Sequence, residues 1–216
     1  MFRFVGLFLL LLLGLSLPVG ASTLLQEADQ AFGDHNYKEA LSFYEKAQKD
    51  PRFASDSLRV RHRVLQSLDK LQDYDRFIPQ LEIALKQVPD LLWRARYSAL
   101  GAQVYRRMPH QGYLRNGTLY RNTDRREGTY TWVWDQDHKQ AEIYYNAARK
   151  NYFEYLYTRK ARLIEIEKEL LNLVEELGFF YRDQAWLTSA RKDWPTFVAP
   201  KAPGEMLKTE WTPFQK

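Results

Sequence analysis

An apolar stretch stands apart at the start of the chain. Val5–Leu17 is almost wholly apolar, follows the basic Arg3, and is ended by Pro18. Val19-Gly20-Ala21 then places small residues where a signal peptidase cleaves. The stretch is shorter than the roughly 20 apolar residues of a membrane-spanning helix. The pattern therefore predicts residues 1–21 as a signal peptide cleaved after Ala21, and the alternative is a retained signal anchor.

The chain that follows shows the pattern of paired helices. Thr23-Leu24-Leu25-Gln26 resembles a capping box, which predicts a first helix from there to about Phe32. Residues 33–36 are turn-forming, and a second helix is expected from about Tyr37 to Lys49, before Pro51. Small alanines on both helices would let them approach closely. Residues 22–107 are therefore predicted to form antiparallel helical hairpins.

The hairpin pattern repeats along the chain. Tyr74 follows Tyr37, and Ala84 follows Ala47, at the same offset of 37 residues. Asp90 is expected to cap the next helix. A repeat of this length is typical of architectures in which each hairpin buries its apolar face against its neighbours.

These hairpins resemble the tetratricopeptide repeat family. Leu100-Gly101 matches the central pair of that family's first-helix pattern, with Tyr97 in place of Trp and Val104 in place of Tyr. The second-helix pattern is matched twice, by Ala40, Tyr44 and Ala47 and again by Ala141, Tyr145 and Ala148, whereas Phe77 and Leu81 depart from it in the middle unit.

The resemblance covers residues 24–106 and 138–150. It implies an all-α fold, a right-handed solenoid of antiparallel helical hairpins, whose first helices form a concave surface for peptides or partner proteins. It implies no catalytic residue. The units are longer than the family's usual 34 residues.

The helical pattern is interrupted at residues 108–134. Tyr113–Tyr120 has Asn116-Gly117 at its centre, the strongest short signal for a type I′ hairpin, and this register pairs Leu114 with Leu119. Thr129–Trp134 alternates in a strand period, which would place Tyr130, Trp132 and Trp134 on one face. We therefore expect a small two- or three-stranded β-flap inserted between paired helices.

Residues 135–178 are predicted to form a long helix, or a pair of helices with a break near Asn151, that closes the repeat stack. Leu163, Ile166, Leu170, Leu173 and Leu177 follow a heptad spacing, so a coiled-coil dimer is the alternative. Residues 179–216 form a tail rich in Trp and Pro, in which four prolines oppose regular structure.

Charge and aromatic residues are concentrated around the insertion. Residues 91–138 hold eight arginines, no lysine and only four acidic residues, and the same window holds eight Trp or Tyr residues. Because Trp, Tyr and Arg dominate interface hot spots, we predict a partner-binding surface here. Its candidate residues are Arg94, Tyr97, Arg115, Tyr120, Arg125, Arg126, Tyr130, Trp132 and Trp134. The alternative is that the rings pack the flap onto the helices while the arginines are simply solvated.

Composition excludes several classes of protein. The 216 residues contain no Cys, which removes disulfide scaffolds, zinc ribbons and thiol catalysis, and fits a bacterial periplasmic or extracellular protein. No nucleotide-binding loop, nucleophile elbow or His-Glu-x-x-His motif occurs. The protein is therefore expected to be no enzyme and to bind no cofactor or metal. A membrane contact is expected only through an uncleaved signal sequence, and nucleic acid is not an expected partner.

Three functional hypotheses remain. The first is an exported scaffold that binds a protein or peptide. The second is an envelope module that binds a polyanion or carbohydrate through the flap, with affinity that falls steeply as salt rises. The third is the leading segment of a larger exported protein, because the repeats, insert and tail resemble the N-terminal helical region of bacterial α2-macroglobulin-like proteins. The thioester motif of that family, which requires Cys, is missing. The sequence leaves the oligomeric state open.

Overall fold

A computed structural model describes residues 19–122, 127–159 and 164–178 of the 216-residue chain. This part of the chain is mostly helical and carries one small antiparallel sheet, which confirms the mainly helical fold class and the β insertion. Its elements are α1 (Val19–Gly33), α2 (Tyr37–Lys49), a 3-10 helix (Pro51–Asp56), α3 (Ser57–Lys70), α4 (Tyr74–Gln87), α5 (Leu91–Arg107), β1 (Gln111–Arg115), β2 (Thr118–Tyr120), β3 (Thr129–Trp132), α6 (Trp134–Arg159) and α7 (Ile164–Gly178). The predicted tail 179–216 and the apolar run of the predicted leader lie outside the described residues.

Each helix packs against the next one along the chain, and α3 also contacts α5. One continuous apolar core extends from α1 to α7. Its largest enclosed side chains include Tyr44, Phe77, Tyr97, Tyr145 and Phe153. The sheet lies between α5 and α6 in the sequence, and its three strands contribute no residue to this core.

Two helical hairpins turn in the same way, 37 residues apart. At the end of α1, the N–H of Asn36 donates to the carbonyl of Ala31, and His35 adopts a left-handed φ of 64°. At the end of α3, the N–H of Asp73 donates to the carbonyl of Leu68, and Gln72 has a φ of 57°. Both turns are Schellman motifs, which satisfy carbonyls that a helix end leaves unpaired. The backbone geometry of the turn therefore repeats after 37 residues, as the sequence pattern does.

Aspartates fix the start of two later helices. The carboxylate of Asp73 accepts a hydrogen bond from the N–H of Arg76 at the start of α4. Asp90 accepts from the N–H of Trp93 at 2.9 Å at the start of α5, which confirms the predicted cap. Each contact satisfies one amide that has no partner within its own helix.

Small residues line the seam between neighbouring helices. The alanines at positions 28, 40, 47, 84, 141 and 148 are fully or almost fully buried. Gly101 in α5 is closely surrounded, because a Cβ built on it would lie 2.8 Å from Leu81 Cδ2 and 3.0 Å from Tyr144 Cδ2. The residue therefore allows α5 to approach both α4 and α6 at one point.

The insertion is a three-stranded antiparallel sheet in the order β2-β1-β3. Leu114 pairs with Leu119 and Tyr113 with Tyr120, while Asn116 and Gly117 both have positive φ. This arrangement confirms the predicted register and type I′ turn. We call residues 108–133 the flap from here on.

Three local predictions are wrong. Trp134 is the first residue of α6 rather than a strand residue, because the N–H of Asp137 donates to the carbonyl of Val133 and starts the helix there. The α6 helix continues through Asn151, whose position carries no helix breaker, and α7 begins only at Ile164. Thr23 lies inside α1 instead of at its N-cap, since α1 begins four residues earlier, at Val19. The helix α1 also spans the predicted cleavage position after Ala21.

The close contact at Gly101 gives a direct test of the helix packing. We expect Gly101→Val to lower the free energy of unfolding by about 1–3 kcal/mol, because the new methyl groups meet two enclosed side chains. Gly33→Val is the control, since a Cβ at Gly33 meets no atom within 4 Å. Urea denaturation followed by circular dichroism measures both. Equal stability of the two variants would contradict the packing.

Candidate functional site

A groove of about 550 Å³ runs along α3, α5 and α7. Arg59, Arg63 and Gln66 stand on one face of α3 because they are spaced four and seven residues apart. The lining consists of Arg59, His62, Arg63, Gln66, Trp93, Arg96, Ala99, Leu100, Gln103, Tyr152, Glu169, Asn172 and Leu173. The groove is thus walled mainly by α3, α5 and α7, and Tyr152 of α6 adds to its lining.

Carboxylates at two edges hold the groove arginines in place. Asp29 of α1 pairs with Arg59 and lies 3.8 Å from Arg63 Nε. Glu169 of α7 binds Arg96 in a bidentate pair, with Nη2–Oε1 at 2.7 Å and Nε–Oε2 at 2.9 Å. The paired arginines are pre-oriented, since planar guanidinium groups bind carboxylates through two parallel bonds.

Tyrosine hydroxyl groups from α2 and α6 donate hydrogen bonds to these two carboxylates. Tyr44 of α2 donates to Asp29 at 2.5 Å, and Tyr152 of α6 donates to Glu169 at 3.1 Å. Burial, followed by the hydrogen bond to Asp29, raises the pKa of the Tyr44 hydroxyl. Tyr44 therefore stays protonated and acts as a donor at every physiological pH.

Aromatic rings form the middle of the groove. The ring of His62 lies 5.8 Å from that of Trp93 and 5.7 Å from that of Tyr97. The guanidinium of Arg96 lies 4.8 Å from the centre of the Trp93 ring, and that of Arg63 lies 4.6 Å from Phe32. Cations at these distances are attracted to the ring faces, so the rings also help to fix the arginines.

His62 is electrically neutral at pH 7 in this setting. Burial, and after it the charges of Arg96 and Arg63, together lower the pKa of His62 to about 4. The negative charge of Glu169 acts against this shift but is weaker. The groove therefore carries its positive charge on three arginines alone.

The predicted binding surface on the flap is partly exposed. Trp132 is 63% exposed and Tyr130 is 57% exposed. Tyr113, the cross-strand partner of both Tyr120 and Tyr130, stacks edge-on against the Tyr130 ring at 5.6 Å. Arg115 pairs with Glu127 at 2.7 Å on the same flap. The structure therefore brings Arg115, Tyr120, Tyr130 and Trp132 together on one sheet.

The other predicted site residues lie elsewhere. Tyr97 is fully buried in α5 and donates to the carbonyl of Leu58 at 2.7 Å, so its assignment to an accessible surface is wrong. Arg94 donates to the carbonyl of Val88 at 2.9 Å, at the end of α4. Trp134 stacks on His138, one turn along α6, with ring centres 4.4 Å apart. Arg125 and Arg126 lie outside the described residues.

A buried ion pair fastens the flap to the helices. Arg121 and Asp137 have side chains only 5% and 4% exposed, and they are joined by bonds of 2.6 Å and 2.9 Å. Arg121 also donates to the carbonyl of Pro109, and its backbone N–H donates to Asp75 of α4. His110 Nδ1 lies 3.0 Å from Asp137 Oδ2. The end of β2 is thereby fixed to the first turns of α4 and α6.

The concentration of arginine and aromatic residues predicts a binding surface on the flap and its adjoining helix, and does not identify the groove. The sequence feature that could have indicated the groove is the polar face of α3, where Arg59, His62, Arg63 and Gln66 recur at helical spacing. The orientation of Arg96 in the groove depends on its bond to Glu169, which lies 73 residues further along the chain. A local sequence pattern cannot reveal a contact between residues so far apart.

Across residues 19–122, 127–159 and 164–178, no group of three or more His, Asp or Glu side chains is placed to hold a metal ion. Among the helices that the structure describes, none combines the length and the apolar character needed to cross a membrane.

Comparison with protein-family models, with curated proteins and with solved structures finds no match to this chain. The groove and the flap are therefore the features of this protein that bear on its function.

His62 gives a pH-dependent stability that can be measured. Its folded pKa lies below the unfolded value, so the unfolded chain binds more protons and stability falls as the pH drops from about 7 towards 4. We expect the wild type to lose about 2 kcal/mol more than His62→Gln between pH 8 and pH 5. Thermal and urea unfolding across this range test it, and parallel curves would contradict the buried neutral histidine.

The flap anchor gives a second stability test. Arg121→Met should lower the free energy of unfolding by about 3–5 kcal/mol, because it leaves the buried charge of Asp137 without its cation. The double variant Arg121→Met/Asp137→Leu should recover much of this loss, since both charges are then removed. Arg115→Met is the control, because the exposed Arg115–Glu127 pair is worth about 1 kcal/mol or less. If Arg121→Met behaves like Arg115→Met, the anchor assignment is wrong.

Proposed function

We propose that this protein is a tetratricopeptide-like binding module that holds an extended, acidic segment of a partner protein in the groove of α3, α5 and α7. The observation that carries the proposal is the row of three guanidinium groups, from Arg59, Arg63 and Arg96, along one groove that also contains aromatic rings. Arginine and tryptophan are the residues that most often dominate protein interfaces.

The repeat architecture is supported by two features. The Schellman turns at His35 and Gln72 recur 37 residues apart, and the buried small residues Ala28, Ala40 and Ala47 occupy the seam of the first hairpin. In a solenoid of this kind, α1, α3, α5 and α7 are the first helices of successive units. The groove then lies on the surface that the family resemblance associates with partners.

The acidic character of the partner follows from charge complementarity. The groove lining presents Arg63, Arg96 and the neutral ring of His62. Asp29 and Glu169 pair with these two arginines and hold them in place. A carboxylate of the partner could join the existing pairs, because each guanidinium has five N–H donors. Opposite potentials across an interface also speed association and exclude wrong partners.

We also propose that the module works outside the bacterial cytoplasm, either in the periplasm or at the cell exterior, and that it is no enzyme. The support is the apolar run Val5–Leu17, the small residues 19–21 and the absence of Cys from the whole sequence. Cell fractionation with N-terminal sequencing of the purified protein tests this part of the proposal.

A second candidate function uses the flap. Exposed Tyr130 and Trp132 present ring faces on which a sugar or the backbone of an envelope polyanion could lie, with Arg115 beside them. This function would be independent of the groove, since the flap is anchored through Arg121 and Asp137.

Selection from a displayed peptide library separates the two candidates. Peptides that bind the groove should be rich in Asp and Glu, and Arg59→Gln/Arg63→Gln should weaken them at least tenfold. Arg61→Gln is the matched control on α3, because Arg61 bonds Gln87 instead of lining the groove. Fluorescence anisotropy with a selected peptide gives the affinities. Loss of binding in Trp132→Ala with full binding in Arg59→Gln/Arg63→Gln would place the contact on the flap and overturn the groove proposal.

A further inference from the structure

We infer that the groove takes up a proton at His62 when it binds an anionic side chain, so that its affinity for an acidic segment increases as the pH falls from 7 to 5.5. This inference rests on the proposed function and concerns the regulation of the same site. The residue is part of the groove lining and stands between the two pairs of charges that would receive the ligand.

The groups around His62 come from four helices. On its own helix, α3, the charged neighbours are Arg59 and Arg63. From α5 it faces Arg96, Trp93 and the buried hydroxyl of Tyr97. Tyr152 of α6 and Glu169 of α7 complete the lining on the far side. Arg96 and Arg63 oppose protonation of the imidazole and Glu169 favours it, and together with burial this balance disfavours a further positive charge.

An anionic ligand acts on the electrostatic part of this balance, whereas burial, the largest cause of the low pKa of His62, stays in place. A carboxylate placed against Arg63 and Arg96 offsets the two charges that act on the ring, while the ring stays where Trp93 and Tyr97 hold it. The nearby negative charge favours the protonated imidazole. Binding and protonation then support one another, because coupling between two sites is reciprocal.

The sign of the effect follows from linkage. In the free protein the pKa of His62 is about 4, so the ring is neutral across pH 5.5–7. A ligand that raises this pKa is bound together with a proton, and its affinity must rise as the proton concentration rises. With a bound value near the unperturbed one, about 6.5, the gain from pH 7 to pH 5.5 is about fivefold to tenfold.

The experiment uses a probe whose own charge does not titrate. A fluorescent hexapeptide with three cysteic acid residues keeps its sulfonate charges throughout pH 5.5–7.5. Its affinity is measured by anisotropy for the full chain and for His62→Gln, which keeps a polar side chain without a titrating group. We expect the wild type to gain about fivefold to tenfold in affinity between pH 7 and pH 5.5, and the variant to gain less than twofold.

Two further measurements on the wild type keep the outcome decisive. Calorimetry at pH 6 in buffers of different ionisation enthalpy counts the protons taken up with the probe, and the NMR signal of the His62 ring follows its titration with and without probe. Binding with no proton uptake and an unchanged His62 titration overturns the inference and leaves the proposed function standing. No binding of the probe or of any acidic peptide at either pH overturns both.

Discussion

The helical body depends on how closely its helices approach one another. Where the seam holds Ala28, Ala40 and Ala47, or Gly101 between α4 and α6, the backbones come near enough for large rings to fill the spaces beside them. Tight packing of this kind tolerates little added volume, because protein interiors are as dense as organic crystals. The spacing of the helices also determines the shape of the groove, because the helices packed behind α3, α5 and α7 hold them in position.

The repeat could be predicted from the sequence because its causes are local. Tyr37 and Tyr74, with Ala47 and Ala84, mark the same offset that the left-handed residues His35 and Gln72 mark in the backbone. The two turn residues themselves carry no such signal, since neither is glycine. The type I′ hairpin was equally predictable, because Asn116-Gly117 satisfies the turn geometry without help from the rest of the fold.

The candidate groove was less predictable because the contacts that form it join residues distant in sequence. The concentration of arginine near the flap drew attention to positions such as Tyr97, which the fold buries, and to Arg121, whose role is anchoring. Arg96 gains its orientation from Glu169, and His62 loses its charge because α5 covers it. A composition window records which residues are present, whereas these effects depend on which helices become neighbours.

The flap leaves and rejoins the helical body at a single place. The N–H of Val133 donates to the carbonyl of His110 at 2.8 Å, so the two ends of the excursion are already joined before α6 begins. The distance between the end of α5 and the start of α6 is therefore independent of the number of residues in the flap. Lengthening a closed loop adds only about 0.6 kcal/mol for each doubling of its length. Evolution can therefore enlarge or exchange the outer part of this appendage without re-optimising the scaffold, as long as Arg121 remains to pair with Asp137.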